Sequence, residues 1–255
     1  MAQMVTETEL ADINQRFAKE PLMAAYCIPM LAADGSQWID SRSGRLDASS
    51  LAKFAKDAQT RGANLQLAHL GITQPIPLGK VFDGAVKDGA LYLKAYMPVG
   101  VNVPNVLGGT VKTDDVAAAY ATGIADRVSI GFTFEMAQCN LCLHDVRSPE
   151  CAHLPGESYQ TQDGQTVQCS PLILAGETGT FREVSLVWQG AIDSAKTISR
   201  DALPTGLLVE TSLTLDKQAT VPTVTVPNRI APPTYSATAE LTAAPATAAM
   251  TLVGI

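Results

Sequence analysis

Residues 139–153 read Cys-Asn-Leu-Cys-Leu-His-Asp-Val-Arg-Ser-Pro-Glu-Cys-Ala-His, and these fifteen positions hold three of the chain's five cysteines and two of its three histidines. Cys139 and Cys142 have the spacing at which one turn presents two thiolates to one ion, and Cys151 with His153 supplies the other half of a tetrahedron. His144 competes with His153 as the nitrogen ligand, although it stands close to Cys142. Zinc accepts such a set, and a closed set of four leaves no position for a reacting water, so this reading implies scaffolding rather than catalysis. The alternatives are a redox Cys-x-x-Cys pair or unpaired buried thiols. Cys27 and Cys169 fit no spacing rule and read as small core residues. With two histidines in the cluster, His69 is the imidazole left for general-base chemistry.

The rest of the composition sets bounds. At 255 residues the chain can bury a full core, and one domain with appendages is expected. A net charge of −7 argues against nucleic acid or an anionic membrane as the main partner. No stretch reaches the roughly 18 apolar residues needed to span a bilayer; the longest, from Pro21 to Ala33, is interrupted by Pro29. Glu7, Glu9 and Asp12 near the start, with no basic region ahead of an apolar run, do not make a secretory signal. The expected compartment is a reducing cytoplasm, where Cys-x-x-Cys binds metal or does redox work more often than it forms a structural disulfide.

The elements that must position these groups can be read from periodicity. Residues 1–24 read as a short helical arm, with Thr6 and Glu9 at capping-box spacing and Leu10, Ile13 and Phe17 at helical intervals. Asp34-Gly35 and Ser43-Gly44 punctuate a hairpin around Trp38 and Ile39. Asp47 to Thr60 reads as a capped helix with Gly62 just past its end, and residues 64–69 then run extended into His69. Pro77 to Phe82 and Ala90 to Met97 form a second hairpin around Asp83-Gly84 and Asp88-Gly89. Thr113 to Thr122 reads as an amphipathic helix. After it, Val128, Ile130, Phe132 and Phe134 share one face of a strand, while Arg127, Ser129, Gly131 and Thr133 share the other. A polar loop follows the cysteine cluster to about residue 170, and Phe181 to Trp188 is another strand with Glu183 and Ser185 on its polar side. Residues 201–255, rich in Ala, Thr, Val and Pro, read as an extended tail. Many short strands with a few helices predict an α+β fold built on a largely antiparallel barrel or sheet.

Taken singly, His69, Ser129 and Glu183 have ordinary explanations as strand-end and strand-surface residues. Their order and surroundings resemble those of the prohead maturation proteases of tailed bacteriophages, serine peptidases of the herpesvirus-assemblin type. Three segments carry the resemblance. Leu65-Gln66-Leu67-Ala68-His69 with the downstream Pro77-Leu78-Gly79-Lys80-Val81 is similar to the family's histidine strand and its Pro-(Ile/Leu)-Gly-(Lys/Arg)-Val run. Arg127-Val128-Ser129-Ile130-Gly131-Phe132 resembles its Ser-Ile-Gly-Phe nucleophile strand. Arg182-Glu183-Val184-Ser185-Leu186-Val187, with Gly190-Ala191 after it, resembles its Glu-Val-Ser-(Leu/Val)-Val strand and small-residue turn. The match spans about residues 25–200 in order, and Cys151 to Gly156 resembles a Cys-x-His-x-Pro-Gly run in inserts of some relatives.

The resemblance implies an assemblin-like domain over residues 25–200, with a metal-binding insert at 135–160. It makes Ser129 the nucleophile, His69 the general base and Glu183 the group that orients the imidazole. A serine hydroxyl needs a neighbouring base to take its proton, and that base needs a third group to fix its tautomer. The oxyanion donors are not legible; Arg127 or a backbone amide near Gly131 are the candidates. The implied activity is endoproteolysis of scaffold and major capsid protein inside the procapsid, in the host cytoplasm. A homodimer or higher oligomer is the implied working form. The competing expectation is an inactive, zinc-stapled capsid-associated protein with the same fold.

Overall fold

In the computed structural model, residues 3–39, 42–68, 76–104, 109–160 and 164–207 are described. They belong to one compact unit.

The chain opens with helix α1, Glu7–Arg16, started by the capping box expected from sequence: the Glu9 amide donates to Thr6 Oγ1 at 3.2 Å and the Thr6 amide to Glu9 Oε2 at 2.9 Å. Strand β1 (Ala25–Asp34) follows, then the short β2 (Arg45–Leu46) and helix α2 (Ala48–Thr60), capped by Asp47. Next come β3 (Ala63–Leu67), β4 (Gly79–Lys87) and β5 (Ala90–Pro98). Asp88 and Gly89 both have left-handed φ, 51° and 75°, the conformation that a tight two-residue hairpin demands between β4 and β5. Strands β6 (Asn102–Pro104) and β7 (Thr110–Lys112) pair ahead of helix α3 (Thr113–Ala121). The remaining strands are β8 (Arg127–Phe132), β9 (Met136–Gln138), β10 (Ser158–Gln160), β11 (Thr166–Gln168), β12 (Leu172–Leu174), β13 (Phe181–Val187) and β14 (Lys196–Thr197).

Seven strands close into a barrel in the order β1-β14-β8-β13-β3-β4-β5. The molecule is thus α+β, with the barrel at its centre. Its pairings are antiparallel except at one seam, where β3 runs parallel to β13 with Leu65 beside Val184 and Leu67 beside Leu186. The barrel is filled from the alternating inward positions: Leu65, Leu91, Leu93, Val128 and Val184 have no exposure, and Leu186 has 1%. Helix α2 brings its apolar face to the barrel, where the fully buried Phe54 stacks obliquely on Phe132 and Phe181 with ring centroids 5.2 and 6.0 Å away. Burying such a ring stabilises the fold by about 2–3 kcal/mol.

Two differences from the sequence reading have local causes. Asp83-Gly84 lies inside β4 and makes no turn; the register shifts between Val81 and Asp83 there, as at a bulge. A Cβ on Gly84 would come within 2.8 Å of Leu93 Cδ2 and 3.2 Å of Ala58, so this glycine serves close packing. The polar stretch before residue 170 contains a two-stranded ribbon, β10 with β11, whose polar pattern gave no apolar alternation to read.

Both ends of the described chain meet at Lys94 of β5, which is fully buried. Its ammonium donates to Glu9 Oε1 at 3.0 Å and to the Leu207 carbonyl at 2.8 Å, and pairs with Asp83 at 3.1 Å. Arg200 also pairs with Glu9. Residues 201–207, which the sequence assigns to an extended tail, instead take part in two 3-10 turns, Arg200–Ala202 and Thr205–Leu207, with Leu203 and Leu207 buried. The rest of the predicted tail lies outside the described residues. Among the described residues, no helix is long and apolar enough to cross a membrane.

Candidate functional site

The outer face of the barrel gathers the polar residues of two strands. In the antiparallel pair β8–β13, Ser129 lies opposite Ser185 and Gly131 opposite Glu183, while Val128, Val184 and Leu186 fill the core on the other face. Strand parity alone therefore puts Ser129 and Glu183 on the same side. What brings the carboxylate across is the glycine. A Cβ built on Gly131 would lie 2.3 Å from Glu183 Oε1 and 2.9 Å from Glu183 Cδ, so the Glu183 side chain occupies the space a larger residue would fill. In Ser129-Ile130-Gly131 the serine and the glycine are one outward step apart, and the carboxylate lies over the second of them.

Ser185 completes the arrangement. It is fully buried, and its hydroxyl donates to Glu183 Oε2 at 2.6 Å. Sequence reasoning missed this residue, although the signal was present: Glu183 and Ser185 stand two apart on one strand and share a face. Beside Ser129 and Glu183 opens a cavity of about 320 Å³, walled by Ala32, Ile39, Ala191, Ile192 and Ala195, with Arg42 in its lining. Arg127 donates to the carbonyl of Asp193 on the opposite wall loop, which leaves the amides of β8 as the other oxyanion candidates.

His69 lies outside the described residues. Its predecessor Ala68 ends the parallel seam, where its amide donates to the Leu186 carbonyl at 2.8 Å and its φ of 57° is left-handed, a costly conformation for alanine. Strand β3 itself runs beside β13, which lies between it and the Ser129 strand β8.

The second group of chemically capable side chains lies in the insert. Cys139, Cys142, Cys151 and His153 bring one ligand atom each to within 4.8 Å of one another, a cluster that could hold a metal ion. Tetrahedral bonds of about 2.3 Å to sulfur and 2.0 Å to nitrogen require sulfur–sulfur edges of about 3.8 Å and sulfur–nitrogen edges of about 3.5 Å. The separations are 3.5 Å between the Cys142 and Cys151 sulfurs, and 3.6 and 3.9 Å from His153 Nδ1 to Cys139 and Cys151. The four residues therefore fit a four-coordinate soft cation. The Leu141 amide donates to Cys139 Sγ at 3.4 Å, and Tyr159 meets the His153 ring edge-on at 4.7 Å while its hydroxyl accepts from the Leu154 amide. Burial pushes the Cys139 thiol up, but the amides of Leu141 and Cys142 more than offset it and hold the thiol below its ordinary range. His144 is exposed and stands apart from the cluster, contributing its carbonyl to the Cys139 amide.

Cys169 is more than the small core residue its isolation in sequence implies. Its sulfur lies 3.8 Å from Cys139 Sγ, and burial with the neighbouring Cys139 pushes its thiol up to about 12. No spacing rule links positions 30 apart; the pairing of β10 with β11 folds the chain back and brings Cys169 to the cluster. Cys27, by contrast, is buried within β1 as expected.

Comparison with protein-family models, with curated proteins and with solved structures finds no match for this chain. The residues themselves must therefore carry any functional reading.

The insert is wired to the cavity wall. Strand β9, which ends one residue before Cys139, pairs with β12, and β12 pairs in parallel with β2, directly after Arg42 and the Ile39–Gly44 bridge. The buried Ser50 ties α2 into the same sheet, donating to the Ile173 carbonyl at 2.8 Å and accepting from the Ala175 amide at 2.7 Å.

Proposed function

We propose that this protein is a serine endopeptidase of the prohead-maturation, assemblin-like type, acting on scaffold and major capsid protein during phage head assembly. The observation that carries the reading is the Gly131 gap: a glycine two residues after a half-buried serine lets a carboxylate from the neighbouring strand lie beside it, on the open face of a barrel, next to a cavity. The sequence motifs that led to the family resemblance, Ser-Ile-Gly-Phe and Glu-Val-Ser-Leu-Val, thereby acquire a physical reason for their small and polar positions.

In this mechanism Ser129 Oγ attacks the scissile carbonyl while His69 takes the hydroxyl proton. Glu183, itself held by Ser185, orients the ring and stabilises the imidazolium. The proton passes to the leaving amine, the acyl group stays on Ser129, and water activated by the same imidazole releases it. Backbone amides of β8 supply the oxyanion donors. Work as a dimer or larger assembly restrains the enzyme until it is concentrated inside the procapsid.

Zinc is the ion assigned to Cys139, Cys142, Cys151 and His153, because three thiolates and an imidazole at tetrahedral separations suit it and leave no open position. When bound, the ion supplies a cross-link that braces the insert and, through β9, β12 and β2, the cavity wall; the bond-breaking chemistry remains with Ser129.

The deciding experiment is Ser129→Ala. The variant should fold and retain its metal while losing cleavage of co-expressed capsid and scaffold proteins by several powers of ten. Processing at the wild-type rate by this variant would remove the peptidase reading and leave a zinc-stapled structural protein.

A further inference from the structure

The metal set uses three of the four cysteines gathered at the insert and leaves Cys169 over. That thiol is nevertheless fixed from both sides. Its amide donates to the Glu157 carbonyl and its carbonyl accepts from the Gly156 amide, both at 2.8 Å. Asn140 donates from Nδ2 to the Gln168 carbonyl at 3.0 Å and accepts at Oδ1 from the Ser170 amide at 2.7 Å. One side chain inside Cys139-Asn140-Leu141-Cys142 thus grips both neighbours of Cys169, whose sulfur stands 3.8 Å from Cys139 Sγ. The sulfurs of Cys142 and Cys151 stand 3.5 Å apart. The four cysteines therefore fall into two contacting pairs, and a disulfide bond of about 2.05 Å requires each pair to close by less than ~2 Å. Cys27, the fifth, is buried within β1.

We propose that the insert is a thiol oxidation site, in which a peroxide converts these contacts into the disulfides Cys142–Cys151 and Cys139–Cys169 and the metal is given up. The metal half rests on the zinc reading above; the disulfide half stands on the sulfur contacts alone. A thiolate of one pair attacks an oxygen of hydrogen peroxide and breaks the O–O bond, so that the sulfur becomes a sulfenic acid and hydroxide leaves. The partner sulfur attacks the sulfenic sulfur, the S–S bond forms, and the second oxygen departs as water. Each pair gives up two electrons and each peroxide becomes two waters. The four sulfurs therefore consume two peroxides, and the three thiolates of the metal set draw three protons from solvent.

Exposure sets the order. Cys142 and Cys151 are half-buried, whereas Cys139 and Cys169 have no exposure, so the outer pair reacts first. That step withdraws two of the four ligands together, and Cys139 with His153 alone does not make a tetrahedral site. Cys169 then gives Cys139 its partner. Without it, an odd set of three cysteines would strand Cys139 as a sulfenic acid, open to irreversible oxidation. The inner disulfide joins the chain after β9 to the chain after β11, so the insert stays cross-linked once the ion has gone.

Full-length protein loaded with one equivalent of zinc is treated with hydrogen peroxide, quenched with N-ethylmaleimide and mapped without reduction. Cleavage after Leu141, Arg147 and Tyr159 separates all four cysteines. Cys142–Cys151 should appear in step with zinc release to a chromogenic chelator, and Cys139–Cys169 at least ~10-fold more slowly. Dithiothreitol should restore the four thiols and the bound zinc. Cys169→Ser should keep its zinc before oxidation and lose only the slow linkage, leaving Cys139 to accumulate sulfinic acid. A wild-type map that joins Cys139 to Cys142, or that leaves Cys169 unlinked, would overturn the proposal. So would a folded Cys169→Ser protein that no longer binds zinc, because Cys169 would then be a ligand. Both disulfides formed by a protein that never takes up zinc would remove the metal site and keep the oxidation site. Zinc retained by thiols that resist peroxide would keep the metal site and remove the oxidation site.

Discussion

Gly131→Ala is the sharpest probe of the site, because it separates the carboxylate from the fold. The added Cβ would stand 2.3 Å from Glu183 Oε1 and 2.9 Å from Glu183 Cγ, so the side chain must retreat by about 1 Å to reach ordinary contact. The same retreat stretches its 2.6 Å bond from Ser185 beyond hydrogen-bond range. A misplacement of about 1 Å in a group that orients a catalytic base costs on the order of 10²-fold in rate. Stability should fall by only about 0.5–1.5 kcal/mol, the net worth of the Ser185–Glu183 hydrogen bond, because what yields is the Glu183 side chain and not the strand. Gly131 is also outside the left-handed region, so alanine recovers part of the ~0.5–1 kcal/mol by which glycine weakens a strand interior. The assay is cleavage of co-expressed capsid and scaffold proteins, scaled between wild type and Ser129→Ala, beside a urea unfolding curve. Wild-type cleavage by Gly131→Ala would refute the role given to Glu183. A loss of more than ~3 kcal/mol would show that the strand yields and that the glycine is merely structural.

Three further outcomes are expected. Burial pushes the Glu9 carboxyl up, but the Arg200 guanidinium, the Thr6 amide and Lys94 outweigh it and hold the carboxyl below its ordinary range. Its stabilising contribution is therefore present above the ordinary carboxylate pKa and lost as pH falls through the lower folded value, and the urea midpoint of the wild type should drop more steeply below about pH 4.5 than that of Glu9→Gln. Lys94→Met, which leaves Glu9 and Asp83 without their shared cation, should cost ~3–5 kcal/mol at pH 7 and much less when Glu9 is also neutralised; equal costs in the two backgrounds would break the network apart. Elemental analysis should find one zinc per chain, and chelation should speed hydrogen exchange in residues 135–160 while leaving β3, β4 and β5 protected; a metal-free protein with the same exchange pattern would count against the site.

Much of this was legible in sequence where one principle acts alone. The capping box of α1, the Asp47 cap of α2 and the alternation of β8 and β13 are short-range patterns, and each produced the expected element. The parity that unites Ser129 with Glu183 followed from the same alternation. What local pattern could not supply was pairing. That β3 runs parallel beside β13 and β14 joins β1 to β8 depends on contacts more than a hundred residues apart along the chain or between strands of two residues. Asp83-Gly84 was misread because a glycine needed for packing looks the same as one needed for a turn. Cys169 was missed because it is brought to Cys139 by the chain reversal of a polar ribbon without apolar periodicity.

The parallel seam also fixes when the face carrying Ser129 and Glu183 can exist. Leu67 waits for Leu186, 119 positions later, before β3 acquires its neighbour, and Ser129 waits for Ser185. At a synthesis rate of about 5–20 residues per second that interval is roughly 6–24 s, and pairings of such long range are slow to form even when both strands are available. Through that period β3 and β1 carry unpaired edges, while the serine strand has no carboxylate beside it. On the proposed peptidase reading, the nascent chain stays inert until nearly the whole barrel has been made, a delay written into strand order.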